Sequence, residues 1–323
     1  MLTIYDSIGG KLVKREGLQP VTAATVWIDM LDPTQDEDAF VEKQIGLEIP
    51  TRDEMREIEA SSRLYQENGA HYLTAFILHN IDKPRPDSNA FTFLLAGNRL
   101  VTVRYAETRA FANYVAKVDK GDVGGDSGMQ VFTGLVEVVI DRIADLIERL
   151  QDDVDKLAFG IFDIKGGQTT RSRRYDATLR GVGRSGDVVS RAQESARSLQ
   201  RVLHYFHTVS KDLNCDEKLR ERVASAERDV HSLTEHMTFL AGRCNFLLDA
   251  TLGMISTEQN QIIKLFSVMA VALMPPTLIA SIYGMNFKHI PELEWPFGYP
   301  MALGLMLLSA LIPFVYFRRK GWL

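Results

Sequence analysis

Two uncharged apolar runs lying close together near the C-terminus constrain this chain more than any other feature. Residues 265–283 and 300–317 contain no Asp, Glu, Lys or Arg and are rich in Val, Ala, Leu, Met and Ile. At about 19 and 18 residues, each is just long enough to cross the hydrocarbon core of a bilayer as a helix. One such run can be a buried soluble helix, but two adjacent runs with these flanks read as membrane spans. Lys264 stands before the first and Arg318-Arg319-Lys320 directly after the second, whereas the link at 284–299 carries one Lys and two Glu. Positive charge on the inside predicts both termini in the cytoplasm and the link outside, with the chain in the inner (plasma) membrane. Trp295, Tyr299, Tyr316 and Trp322 fall near the span ends, where interfacial aromatics belong.

The rest of the 323 residues is polar and charged, enough for a globular domain ahead of the spans. A net charge of −5 with no clustered basic face argues against nucleic acid as a partner. Two cysteines, Cys215 and Cys244, are too few for a disulfide framework or a zinc cage, and suit a reducing compartment. The N-terminus lacks the basic-then-apolar pattern of a secretory signal.

Residues 1–125 read as an α/β domain. Val26-Trp27-Ile28-Asp29 is β-like, Asp32-Pro33 suits a helix start with proline in the first turn, and Thr51-x-x-Glu54 is a capping box expected to open a second helix. Stretches 71–79, 90–95 and 99–104, separated by turn formers, read as neighbouring strands. The spacing then turns helical. A pair of helices is expected over 126–210, the first running over 131–157 and the second over roughly 170–209. Gly166-Gly167 would form the hairpin tip, and Gly181, Gly183 and Gly186 weaken the second helix.

From Glu217 apolar residues recur at alternating steps of four and three: Leu219, Val223, Ala226, Val230, Leu233, Met237, Leu240, Cys244, Leu247, Thr251, Met254. A 3.5-residue period indicates a coiled-coil-like seam, expected to serve a symmetric oligomer. Two stacked helices of an ordinary bundle are the alternative. No helix breaker intervenes before the first span, so 217–283 can be one helix about 100 Å long, a stalk over 211–264 and a span over 265–283.

Two spans in one chain cannot enclose an aqueous path, so conduction requires several subunits around an axis. The first span is the candidate pore helix: Asn260, Ala270, Met274, Thr277 and Ser281 form a small or polar stripe, which can equally serve tight packing in lipid. Pro275-Pro276 removes two backbone donors and frees the carbonyls of Val271 and Ala272. The span closes on Tyr283-Gly284-Met285-Asn286-Phe287, where glycine can supply a left-handed helix cap.

That motif, preceded by Met274-Pro275-Pro276-Thr277 and followed by Pro291-Glu292-Leu293-Glu294-Trp295, a second span over 300–317 and a basic tail over 318–323, resembles the CorA family of magnesium transporters. The likeness is near-continuous from about residue 258 onward. It implies a funnel-shaped homopentamer: an α+β cytoplasmic domain, long helices, then two C-terminal transmembrane helices, the first lining the pore. It further implies an ion entrance at Asn286, held by Gly284 and Met285 in the external loop. Pore-lining positions are implied at Asn260, Ile263, Phe266, Ala270, Met274, Thr277 and Ser281, narrowest near Ile263, Phe266 and Met274. Phe266 is bulkier than the aliphatic residue of some members. The implied cargo is Mg²⁺, with Co²⁺ and Ni²⁺ as further candidates, and cytoplasmic divalent cations are expected to close the pore. The related ZntB zinc transporters depart from methionine in the motif, so Met285 favours magnesium.

Mg²⁺ gives up water reluctantly, so a ring of neutral amide oxygens suits its hydrated form. No phosphate-binding loop is present, Gly9-Gly10-Lys11 lacking the spacing, so no nucleotide is expected to drive transport. Repeated around a ring, Arg318, Arg319 and Lys320 would place about fifteen positive charges near the inner mouth. The rival reading is a membrane-anchored coiled-coil sensor or scaffold, and no enzyme is expected. His204 and His207, three apart, lack a matching acid in the sequence and read as surface histidines. Asp29, Asp32, Asp36, Glu37, Asp38 and Glu221 are acids of the kind a regulatory site needs, none assignable individually.

Overall fold

The computed structural model describes residues 1–57, 59–120, 125–162, 168–211, 213, 215–286 and 291–322. They form two compact units: residues 1–167 with 176–248, and residues 168–175 with 249–323.

The first unit is built on a seven-stranded sheet of β1 (Leu2–Ile8), β2 (Lys11–Glu16), β3 (Thr25–Leu31), β4 (Leu64–Glu67), β5 (Ala70–His79), β6 (Asp87–Ala96) and β7 (Arg99–Arg104), in the order β2-β1-β3-β7-β6-β5-β4. All neighbours are antiparallel except β3 and β7. Both faces of the sheet are covered, so successive residues of its inner strands serve different cores. Trp27, Phe91, Phe93 and Leu95 point to one core, shared with α2 (Arg109–Asp119) and α3 (Gly128–Phe162). Ile28, Met30, Ala90 and Leu94 point to the other, closed by Val41 of α1 (Gln35–Ile45) and by Met55.

The expected strands at 26–29, 71–79, 90–95 and 99–104 are present. Strands β1, β2 and β4 and helix α2 are additional. Two helix expectations need correction. Pro33 lies before α1 rather than in its first turn, because Thr34 is the cap: its hydroxyl accepts from the Glu37 amide, and Glu37 accepts from the Thr34 amide. The Thr51/Glu54 capping bonds also form, at 2.8 Å and 3.4 Å, but open only a single 3-10 turn, Glu54–Arg56. Met55 is its only buried residue, and a helix with no apolar stripe to bury has little to hold it.

Helices α3, α4 (Gln168–Val209) and α5 (Glu217–Tyr283) follow. The expected Gly166-Gly167 tip lies outside the described residues. The glycines of α4 do not interrupt it. A Cβ on Gly181 would stand 2.6 Å from Leu157 Cδ2, so this glycine lets α4 approach α3 closely. Phe132 of α3 stacks edge-on to Phe93 of the sheet (5.3 Å) and to Phe206 of α4 (4.7 Å), joining three layers in one core.

The 217–254 seam has a different use from the one expected. Val223, Ala226, Val230, Met237 and Leu240 belong to the same core as α3 and α4 and are at most 3% exposed. The seam is covered within the chain, yet α5 is the single continuous helix expected over 217–283 and not the two stacked helices of the alternative. A pattern of period 3.5 says only that a long helix buries one straight face; it does not say whose helix covers it.

The sheet also buries charge. Asp29 is held in a fork by Arg104, with Nε at 2.9 Å from Oδ1 and Nη2 at 2.7 Å from Oδ2. Thr102 donates to Oδ1 at 2.7 Å and itself accepts from Trp27 Nε1. Arg104 lies 4.6 Å over the Phe111 ring, which ties this network to α2. Removing one partner of such a pair strands the other charge. Arg104→Met is therefore expected to destabilise the protein by about 3–5 kcal/mol, and the double variant Asp29→Leu/Arg104→Met to recover most of that. Thermal unfolding of the detergent-solubilised variants checks both.

Candidate functional site

In the second unit, α5 carries the first apolar stretch and α6 (Gly298–Arg319) the second. Almost none of either stretch is buried. Lys264 Nζ sits 5.7 Å over the Trp322 ring, so the start of the first stretch lies beside the end of the second. That contact makes the two helices an antiparallel hairpin. Trp295, Tyr299, Tyr316 and Trp322 are exposed at its ends, as are Arg318, Arg319 and Lys320.

Asn260, Ile263, Phe266, Ala270, Met274, Thr277 and Ser281 are all exposed on α5. At 100° per residue they fall within an arc of about 120°. The opposite side of the helix is the covered one: Val268 is buried, and Ala272, Pro275, Pro276, Ile279 and Tyr283 are half-buried. Large apolar side chains on the stripe stand out fully, with Ile263 61%, Phe266 62% and Met274 69% exposed. The hairpin thus has a sidedness that its uniform apolarity conceals.

Pro275 and Pro276 leave α5 unbroken. Proline has no amide hydrogen, so the carbonyls of Val271 and Ala272 lack their usual helical donor. Thr277 donates its hydroxyl hydrogen to the Leu273 carbonyl at 2.7 Å, and Ser267 does the same to Ile263 at 2.8 Å. Each hydroxyl that spends its hydrogen on its own helix keeps its lone pairs as outward acceptors. A stripe of such oxygens suits cations or their water.

Helix α5 ends at Tyr283, followed by Gly284, Met285 and Asn286, all exposed. Phe287 lies outside the described residues. The glycine does not supply a left-handed cap, because Gly284 is not among the residues of positive φ. Its amide continues the helical pattern to Ala280 O at 2.9 Å. A Cβ there would stand 3.0 Å from the Ala280 carbonyl oxygen, a tight contact.

The stripe also runs further back than the sequence reading took it. Steps of four and three from Asn260 reach Ser256, Gly253 and Asp249, all exposed and on the far side of the helix from buried Thr251. Asp249 is the only charged residue among these ten positions. The signal was present in the sequence, masked by the louder apolar seam on the other face.

Other candidates resolve differently. Glu227 supplies the acid that His204 and His207 lacked in sequence, each Nδ1 lying 3.0 Å from one of its oxygens. Burial works against the charged form of Glu227, but hydrogen bonds from His207 and His204 outweigh it and hold the carboxyl below its ordinary range. The trio ties α4 to α5. Of the acids considered for regulation, Asp29 is committed to Arg104, and Glu37 binds the N-terminal amine at 2.9 Å. Asp38 is pushed above the ordinary carboxylate range by burial and by Glu42 and Glu37. Asp32, Asp36 and Glu221 are exposed. Among the described residues no group of three or more His, Cys, Asp or Glu is arranged to hold a metal ion.

The family described as "CorA-like Mg2+ transporter protein" matches residues 22–319. The chain belongs to the CorA family of Mg²⁺ transporters. The magnesium transport protein CorA of Escherichia coli (strain K12) is 33% identical over 325 residues, covering 100% of both chains. Among solved structures, the complete CorA magnesium transporter from Methanocaldococcus jannaschii superposes with a TM-score of 0.78 at 18% identity, over 100% of this chain and 99% of that one. The ZntB cytoplasmic domain from Vibrio parahaemolyticus is a more distant likeness, with a TM-score of 0.53 at 11% identity, over 79% of this chain and 98% of that one. CorA transporters are membrane proteins, and membership replaces the scaffold reading. It also gives the exposed apolar hairpin its solvent, the bilayer.

The close approach at Gly284 generates a test. Gly284→Ala is expected to loosen the last turn of α5, so the amides of residues 281–284 should exchange hydrogen faster than in the parent. Unchanged exchange by mass spectrometry would mean the turn tolerates a Cβ.

Proposed function

We propose that the chain is one subunit of a homopentameric channel that lets Mg²⁺ run down its electrochemical gradient into the cell. It sits in the inner membrane with both termini cytoplasmic, an orientation supported by Lys264 and the Arg318–Lys320 tail at one level and an acid-bearing link at the other. The observation that carries the reading is the one-sided stripe of α5. Five copies turned inward line a path with Thr277 and Ser281 oxygens, the bulk of Met274, Phe266 and Ile263, and the Asn260 amide. The freed Val271 and Ala272 carbonyls add dipoles within the same helix.

Asn286 is the ion entrance. Its amide can accept from and donate to the waters of a hydrated ion, and five neutral amides grip Mg²⁺ without trapping it. At the other end of the stripe a ring of Asp249 draws cations onward. Each charge crossing 100 mV gains about 2.3 kcal/mol, so a divalent ion gains roughly 4.6 kcal/mol with no nucleotide. Cytoplasmic Mg²⁺ closes the path by binding between neighbouring subunits, and Asp32, Asp36 and Glu221 are the acids left exposed for that purpose. The cargo extends to Co²⁺ and Ni²⁺, whose hydrated forms carry the same charge.

Uptake by Asn286 variants of equal abundance tests this reading. Asn286→Ala is expected to abolish Mg²⁺ uptake with assembly intact. Asn286→Asp, which adds five charges at one level, should bind cations tightly and pass them poorly. A residue that merely follows the helix end would tolerate alanine, glycine or aspartate alike. Near-normal selective uptake by the alanine variant defeats the entrance role.

A further inference from the structure

A cavity of about 640 Å³ opens on the α2 and α3 side of the sheet, where the parallel strands β3 and β7 end. Its charge runs against that of the chain. The protein carries −5 overall, yet five cationic side chains and three acidic ones line this cavity. Two of the eight, Asp29 and Arg104, cancel in the buried fork already described.

What remains centres on Asp82, in the turn after β5. Arg109 Nη1 reaches its carboxylate at 2.7 Å, Arg142 Nη2 at 3.3 Å and Arg149 Nη1 at 3.8 Å. Arg142 also reaches Asp145 at 4.0 Å, and Glu107 lines the cavity beside Asp82, so the positive excess of the lining is modest and includes Lys83 at the rim. Each guanidinium has five N–H donors in a planar fork. Among the described residues, Arg109 spends one nitrogen on Asp82, and its side chain is 77% exposed. The lining as a whole still holds more cationic than acidic side chains, and Arg109 keeps donors turned to the open space.

Thr108 and Arg109 at the start of α2 also line the cavity, so the positive end of that helix dipole faces the same space. The remaining wall is apolar, from Ile81, Phe111 and Val115. The volume lies within the roughly 300–1,000 Å³ of small-molecule sites and exceeds what a bare phosphate fills.

We propose that this cavity binds an organic phosphate, with Arg109 and Arg142 on the phosphate and an apolar or aromatic body against Phe111 and Val115. The incoming phosphate takes the guanidiniums over from Asp82, bidentate geometry suiting both. The ligand is an effector rather than an energy source, since nothing in the chain resembles a phosphate-cleaving loop. The inference stands apart from the conduction pathway and is tested without flux.

Equilibrium dialysis of radiolabelled ADP against the full-length, detergent-solubilised protein, with EDTA present to remove Mg²⁺, measures the site. Saturable binding of ADP at about one per chain is expected, with pyrophosphate competing more weakly. Arg109→Glu should weaken ADP binding by about tenfold or more, the worth of one charge-assisted contact. Asp82→Asn should tighten it several-fold, because the competing carboxylate is gone. A purely structural ion-pair network predicts the opposite sign for Asp82→Asn, a lower melting temperature and no gain in binding. That result overturns the proposal, as does the absence of saturable ADP binding at millimolar concentration or its indifference to Arg109→Glu. Pyrophosphate binding as tightly as ADP would remove the organic body from the assignment and overturn it in that form.

Discussion

Helix α5 must bury one face against its own chain and leave another uncovered, and the rest of the structure follows from how it divides its surface. Full burial of a Val or Leu side chain is worth about 1.5–3 kcal/mol. Buried Val223, Val230, Leu240 and Leu247 therefore fix the rotation of the helix in the first unit. In the second unit the helix again has a covered and an open side. Thr251 is buried where the seam ends, and Asp249 and Gly253 stand on the far side. The exposed stripe continues from there to Ser281.

What the stripe presents follows from local chemistry. A membrane helix that displays Thr277 and Ser281 while covering Val268 and Ile279 inverts the pattern expected for a helix facing lipid on its open side. The two prolines and the back-bonded hydroxyls push oxygen lone pairs into prominence without adding charge. Charge enters only at Asp249. Such a surface is poor at holding a dehydrated divalent ion and adequate for one that keeps its water, which agrees with a family that moves Mg²⁺.

Much of this was legible in the sequence, for identifiable reasons. The two spans, strands β3, β5, β6 and β7 and the helical run from 217 to 283 announced themselves through composition and period, which are local properties. So did the small or polar positions Asn260, Ala270, Met274, Thr277 and Ser281, which tight packing in lipid would explain equally. The chain resembled CorA through one motif and its setting, and the family match over residues 22–319 bears that out. Properties that depend on partners were not legible. Strand β2 is an edge segment and β1 lies between β2 and β3, and pairing stabilises both more than propensity does. The seam's partner proved to be α3 and α4 of the same chain, because periodicity carries no information about which helix lies opposite. Glu227 lies far from His204 and His207 in sequence, and Gly284 does not adopt the left-handed conformation.

The account rests on the two sides of α5 facing different surroundings, and thiol accessibility measures that directly. With Cys215 and Cys244 replaced, single cysteines at Thr277 and Ser281 are compared with single cysteines at Val268 and Ile279. A water-soluble, membrane-impermeant thiol reagent should block Mg²⁺ flux through Thr277→Cys and Ser281→Cys and leave Val268→Cys and Ile279→Cys unaffected. Block at Val268 and Ile279 with Thr277 and Ser281 unreactive would put the water on the wrong face of the helix and contradict the account.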